Sequence, residues 1–245
     1  MQIDANTVLI TGGGSGIGLA IAKRFLMAGS QVIVCGRDEA KLRRAQVEHP
    51  GLVTYTCDVA QQAEREELVR WATREHPTLN VLVNNAGIQR RIRLADSEPW
   101  AETEVEIVTN LHAPMHLCRA FIPHLLTRER PALVNVTSGL AFIPASMMPI
   151  YAATKAALHS FTMSLRHQLA ATPIQVIEIV PPAVDTDLGG VGVHATGVPL
   201  DEYADSIFTA LATDSVEFGY GFSERARLAT RAEIDEIIER MGRRT

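Results

Sequence analysis

Short apolar runs recur along the chain at 8–11, 32–35, 53–57, 81–83, 132–136 and 174–180. Most are apolar nearly throughout rather than alternating, which is the pattern of strands covered on both faces. Between them lie segments with apolar residues at helical spacing. One begins at Ile17, carries Ile21, Ala22, Phe25 and Leu26 on one side, and stops before Gly29, a natural C-cap. Others span about 39–48, 61–75, 100–127 and 151–172. Alternating strands and helices predict a parallel sheet wrapped by helices. Right-handed crossovers then give a doubly wound α/β fold. No composition break or internal repeat divides the 245 residues, so a single domain over 1–245 is expected. The last strand is harder to place. The run at 216–220 fits best, and 232–241 reads as a final helix.

Composition narrows the class. Apolar residues make up 47%, enough to offset chain entropy and exclude a disordered chain. With 23 basic and 28 acidic side chains the net charge is −5, which argues against a nucleic-acid partner. No apolar run reaches the roughly 18 residues of a membrane helix, and the N-terminus lacks the features of a secretory signal. A cytoplasmic protein with neither a membrane nor a nucleic-acid partner is expected. Cys35, Cys57 and Cys118 are an odd number without metal-like spacing and read as buried thiols. His112 and His116 stand four apart, as zinc ligands do. No Glu follows His112, however, and Pro114 lies between them, so no metal is expected.

The first strand runs into Thr11-Gly-Gly-Gly-Ser-Gly-Ile-Gly18 and then a helix. Glycines let the chain turn sharply and approach a ligand closely, and the free N–H groups of a helix start attract an anion. Strand, glycine-rich turn and helix together fit a pyrophosphate site. The second signal is Tyr151-Ala-Ala-Thr-Lys155, which puts a phenol and an ammonium one turn apart on a helix face. Only three lysines occur in the chain, Lys23, Lys41 and Lys155. Ser138 lies thirteen residues upstream of Tyr151, at a strand end.

The glycine spacing is T-G-x-x-x-G-x-G, through Thr11, Gly12, Gly16 and Gly18, and it resembles the short-chain dehydrogenase/reductase family. The likeness extends over about 7–188. Within the family, the run from Asn84 through Ser138 to Thr186 is similar to the DltE-like subgroup. The resemblance implies a compact single-domain Rossmann fold and a catalytic tetrad of Asn110, Ser138, Tyr151 and Lys155. It implies cofactor contacts from Gly12, Gly14, Ser15, Gly16, Ile17 and Gly18, and from Asp58 and Val59 beside the adenine. Further contacts are implied from Asn85, Ala86 and Gly87, from Tyr151 and Lys155, and from Pro181, Val184 and Thr186 beside the nicotinamide. It also implies a homotetramer or homodimer packed through the two long helices. Pro182 departs from the family's Pro-Gly step and stiffens that loop.

An acidic residue about 20 positions past the cradle would bind the ribose of NAD. Gly36 stands there, followed by Arg37, whose planar cation suits a 2′-phosphate. NADP(H) is the expected cofactor. NAD(H) is the alternative if Asp38 turns inward, and a solvated Arg37 is the bland one. The chemistry expected is hydride transfer between nicotinamide and a small-molecule carbonyl or secondary alcohol. Tyr151 would be the acid/base, its pKa lowered from about 10 by the Lys155 ammonium. Ser138 would polarise the substrate oxygen. By resemblance, Lys155 would bind the nicotinamide ribose and Asn110 would position a relay water. Gln89, Leu140, Phe142, Met147 and Met148 are the expected substrate walls. The basic run at 89–93 has a solvated loop as its plain reading. The glycine-rich 188–200 is expected to be a lid over substrate, with a flexible connection as the plain alternative. A non-catalytic dinucleotide-binding sensor competes with the enzyme reading, as does an epimerase or dehalogenase of the same fold.

Overall fold

The computed structural model describes residues 1–96 and 99–242. Its elements run β1 (Thr7–Thr11), α1 (Gly16–Met27), β2 (Gln31–Gly36), α2 (Glu39–Glu48), β3 (Leu52–Thr56), α3 (Gln62–Glu75), β4 (Val81–Asn84) and α4 (Trp100–Ile107). There follow α5 (Ala113–Leu125), β5 (Ala132–Val136), α6 (Pro149–Gln168), β6 (Gln175–Val180), α7 (Leu200–Leu211), β7 (Glu217–Gly219), α8 (Phe222–Leu228) and α9 (Arg231–Gly242). The seven strands form one parallel sheet in the order β3-β2-β1-β4-β5-β6-β7. This is the doubly wound single domain expected from the alternation.

Successive strand residues point to opposite faces, and both faces are covered. In β1, Val8 and Ile10 join a core under α1, α2 and α7, with Phe25, Leu42, Tyr203 and Ile207. Leu9 joins the opposite core under α3, α5 and α6, with Leu68, Leu117, Phe121 and Leu165. Phe25 and Phe121 are fully buried. Each such side chain contributes about 1.5–3 kcal/mol of transfer free energy. Strand order reverses between β1 and β4, which opens a crevice at the carboxyl ends of the strands.

Two expectations change. The helix expected over 100–127 is α4 and α5 joined by a π-helical turn at Val108–His112. The amide of Ala113 bonds back to the Val108 carbonyl, and Pro114, which has no N–H, follows immediately. Asn110 lies in this widened turn. The second change is α7, for which the sequence reading places no helix. It begins after Pro199 with Asp201 and Glu202 in its first turn. Tyr203, Ala204, Ile207 and Leu211 form its buried face. Arg24 of α1 reaches Asp201 at 3.2 Å and Asp205 at 2.7 Å, tying α7 to α1.

Candidate active site

The turn after β1 is built on close approach. Gly12 and Gly16 adopt φ of +66° and +53°, where side chains are strained. A Cβ on Gly18 would lie 2.4 Å from Asn85 Nδ2 and 2.5 Å from the Gly12 carbonyl oxygen. One on Gly13 would lie 2.5 Å from Val34. The end of β4 clamps this turn from the side. The amides of Asn85 and Ala86 both donate to Thr11 Oγ1 at 3.0 Å. Asn85 Nδ2 donates to the Thr11 carbonyl at 2.9 Å and the Gly12 carbonyl at 3.3 Å.

A cleft of about 1020 Å³ runs along the carboxyl ends of the strands. It is lined by Gly12, Gly14, Ser15, Gly16, Ile17, Arg37, Asp58, Val59, Asn85, Ala86 and Gly87 at one end. At the other stand Ser138, Tyr151, Lys155, Pro181, Val184 and Thr186 with Gln89, Leu140, Met147 and Met148. Nearly every residue singled out in the sequence therefore meets in one cavity. Gly18 is an exception: it does not line the cleft, because its place is the contact between α1 and the turn. Phe142 also stays out of the cleft. Its ring packs on His159 at 4.5 Å between centroids.

Asp38 lines the cleft beside Arg37, where the NAD alternative places it. It caps α2, accepting from the Lys41 amide at 3.0 Å. Arg37 lines the cleft together with Lys41, a cation that sequence reasoning missed. The signal was its position one turn into α2, four residues after Arg37. Neither makes an ion pair among the described residues.

The reaction centre joins β5 to α6. Ser138 leaves β5, and its hydroxyl accepts from the Leu140 amide at 3.1 Å, starting a short 3₁₀ turn at Gly139–Ala141. Met148, Ala145 and Leu140 pack on Tyr151. Lys155 donates to the Val136 carbonyl at 2.8 Å, and its ammonium lies 5.7 Å from the centre of the Tyr151 ring. The expected lysine-lowered phenol is not what this arrangement gives. Burial pushes the Tyr151 pKa up to about 12, with the Ser138 hydroxyl opposing and the Glu106 carboxylate adding to the rise. Burial lowers Lys155 to about 8, against the pull of Glu178. The ammonium stands over the ring, and desolvation decides the sign of the shift.

Asn110 lies beneath the cleft, almost fully buried. Its Nδ2 donates to the Ile88 carbonyl at 2.8 Å and to Thr154 Oγ1 at 3.2 Å, while its Oδ1 accepts from the Ile88 amide at 2.8 Å. A Cβ on Gly87 would lie 3.5 Å from that Oδ1 and 3.7 Å from Lys155 Nζ. Asn110 thus fixes the backbone that passes beside the lysine.

The 189–197 segment folds over the far end of the cleft. His194 Nε2 pairs with Gln89 Oε1 at 2.8 Å, and Val184 and Val198 form a parallel bridge. His112 and His116 stack on α5 and its preceding turn, their rings 6.3 Å apart. Their Nδ1 atoms pair with the guanidinium of Arg65 at 3.3 and 3.1 Å. All three cysteines are buried and free. Among the described residues, no helix is long and apolar enough to cross a membrane.

A doubly wound sheet with a glycine turn and a Ser–Tyr–Lys group on one cleft defines a dinucleotide-dependent oxidoreductase. The chain belongs to the short-chain dehydrogenase family, whose model matches residues 6–193, and it is an NAD(P)-dependent dehydrogenase/reductase. It is 46% identical to the uncharacterised oxidoreductase DltE of Bacillus subtilis (strain 168), over 99% of this chain and 98% of that protein. A short-chain dehydrogenase from Burkholderia cenocepacia J2315, solved in complex with NADP, superposes with a TM-score of 0.85 at 26% identity. The match covers 98% of this chain and 99% of that one. The 3-ketoacyl-(acyl-carrier-protein) reductase of Brucella melitensis, complexed with NADH, gives 0.80 at 26% identity, covering 91% and 100%. The cofactor class is a nicotinamide dinucleotide.

Proposed function

We propose that the protein is an NADP(H)-preferring reductase of carbonyls, or dehydrogenase of secondary alcohols, with Tyr151 as its acid/base. The observation that carries this is the convergence of Ser138, Tyr151 and Lys155 on the cleft that also holds the glycine turn. The turn fits a pyrophosphate: at Gly12 a Cβ would sit 2.9 Å from the Ala86 backbone, and Ser15 makes no capping bond that would occupy its hydroxyl. Arg37 and Lys41 support a 2′-phosphate at the adenine end. When bound, the nicotinamide supplies or accepts the hydride.

The chain's own residues handle the proton and the oxygen. Tyr151, protonated at neutral pH, donates to the carbonyl oxygen as that oxygen gains charge, and takes the proton back in the reverse direction. Ser138 offers a second hydrogen bond to the same oxygen. Lys155, still charged below about pH 8, grips the nicotinamide ribose and favours the phenolate left after proton transfer. Asn110 holds the Ile88 backbone and, through a water, connects Lys155 to solvent. Leu140, Met147 and Met148 form an adaptable apolar wall, and Gln89 adds an amide. The 188–200 segment acts as a lid. Its Val191 is 90% exposed, an apolar side chain that closure on substrate would cover.

The half-exposed apolar residues Val105, Met115 and Met163 on α4, α5 and α6 support a homotetramer or homodimer. Light scattering at micromolar protein should show one, and a monomer would overturn that part. The central test is a panel of ketones, aldehydes and alcohols followed by nicotinamide absorbance with each cofactor. Turnover with NADPH well above that with NADH is expected. Equal or faster turnover with NADH sinks the preference, and no turnover with any substrate favours a binding role.

A further inference from the structure

Behind the reaction centre, out of the cleft, lies a charged pair with no place in the chemistry above. Glu178 on β6 is fully buried. Its Oε1 accepts from Thr137 Oγ1 at 2.7 Å, and both its oxygens lie within hydrogen-bond distance of His159 Nδ1, at 3.0 and 2.9 Å. His159 stands on α6 one turn beyond Lys155 and two beyond Tyr151, so the three share one helix face. Thr137 lines the cleft and directly precedes Ser138. Its amide also donates to the Ile179 carbonyl at 2.8 Å.

A buried carboxylate is costly, and its retention asks for a function or a compensating charge. His159 supplies one partner. Lys155, one turn before His159 on α6, donates to the carbonyl of Val136, the residue before the Thr137 that Glu178 holds, so its cation stands beside the same strand end with a neutral partner. Glu178 is the group whose charge counters the desolvation of that lysine. The remaining charges around His159 are already engaged. Glu217 of β7 faces Arg166 of α6 at 4.0 Å and Arg227 of α8 at 3.6 Å. Glu217 also favours the charged form of His159, and the two guanidiniums beside it make a metal among His159, Glu178 and Glu217 unfavourable.

We propose that Glu178 is a positioning residue of the site: its carboxylate, shared by Thr137 and His159, fixes the Thr137–Ser138 end of β5 and supplies the counter-charge for the Lys155 ammonium. His159 sets how much of that charge reaches the lysine. Protonated, it neutralises the carboxylate; neutral, it leaves Glu178 to Lys155. The proposal rests on the assigned role of Lys155, yet its first test needs neither cofactor nor substrate.

With only three lysines in the chain, the lysine side chains of labelled, ligand-free protein can be titrated individually by NMR. In Glu178→Gln, which keeps the size and an acceptor for Thr137, the Lys155 transition should fall by about one pH unit. Lys23 and Lys41 should not move. In His159→Leu, which removes the competing cation, the Lys155 transition should rise. Opposite shifts separate electrostatic positioning from a packing role, which would move neither. If Glu178→Gln does not fold, His159→Leu carries the test alone. An unmoved Lys155 in either folded variant, or a downward shift in His159→Leu, overturns the proposal. In turnover assays the basic limb of kcat/KM should follow the lysine, down for Glu178→Gln and up for His159→Leu. A wild type with no turnover defeats the reductase reading and leaves the NMR result standing.

Discussion

The two ends of the cleft are held in different ways. At the cofactor end proposed above, short side chains grip backbone. Thr11 Oγ1 takes two amides from the end of β4, and Gly13 and Gly18 stand where no side-chain atom fits. At the substrate end, side chains meet side chains. Gln89 and His194 share one hydrogen bond, two methionines form the wall, and Gly192 has nothing within 4 Å of a would-be Cβ. On the proposed reading this end takes a pyrophosphate, which needs fixed N–H groups at fixed distances and so a rigid turn. The other end, proposed for substrate, tolerates a surface that repacks, in keeping with a loop with Met and Gly.

The sharpest way to break this comparison is at the junction of the two ends. Tyr151→Phe should lower kcat about 10²–10⁴-fold, the range of a lost general acid, with cofactor affinity nearly unchanged. Retention of half the rate in a steady-state assay would remove Tyr151 from the role.

Lys155→Met should also abolish turnover, yet at pH 7 it should stabilise the ligand-free protein against denaturant. The folded-state pKa of Lys155 is about 8 and its usual value is 10.5, so the unfolded chain binds more protons between those values. Wild-type stability therefore rises with pH across that window. The advantage of Lys155→Met should be greatest below about pH 8 and vanish towards 10.5. An advantage that grows with pH would reverse the sign argued for burial.

Next in size is the glycine pair. Gly18→Ala should cost about 1–3 kcal/mol by overpacking, as read from chemical denaturation, and weaken cofactor binding. Gly192→Ala meets open space, but its φ of +76° leaves a backbone penalty of about 1 kcal/mol. Equal losses would erase the contrast between the ends. Arg37→Ala should weaken NADPH binding about tenfold and leave NADH within twofold, measured by fluorescence titration. The smallest effect belongs to His194→Ala: KM for the carbonyl substrate should change a few-fold while cofactor affinity stays the same.

Much of this was legible in sequence because it depends on local pattern. Unbroken apolar runs gave the parallel strands, and the glycine turn and Tyr151–Lys155 spacing pointed to residues that line one cleft. Three things escaped for physical reasons. The α7 helix hides after a glycine-rich stretch that reads as loop, and its apolar face has meaning only against α1 and β1. The role of Gly18 is steric and depends on Asn85, 67 positions away in the chain. The pKa of Tyr151 follows from how completely it is buried, which a residue pair four apart does not reveal.

The sequence by itself determined the α/β alternation, the glycine turn and the residue types that meet in the cleft. Each follows from chain stereochemistry or side-chain chemistry, which neighbouring residues specify. Tertiary structure alone decided that Asp38 caps a helix, that Arg37 and Lys41 share one wall, and that burial reverses the expected shift of the phenol. It also decided that Glu178 pairs with His159, one turn beyond Lys155. Desolvation and charge pairing depend on distance through space, and β6 brings Glu178 to α6 only once the sheet has formed.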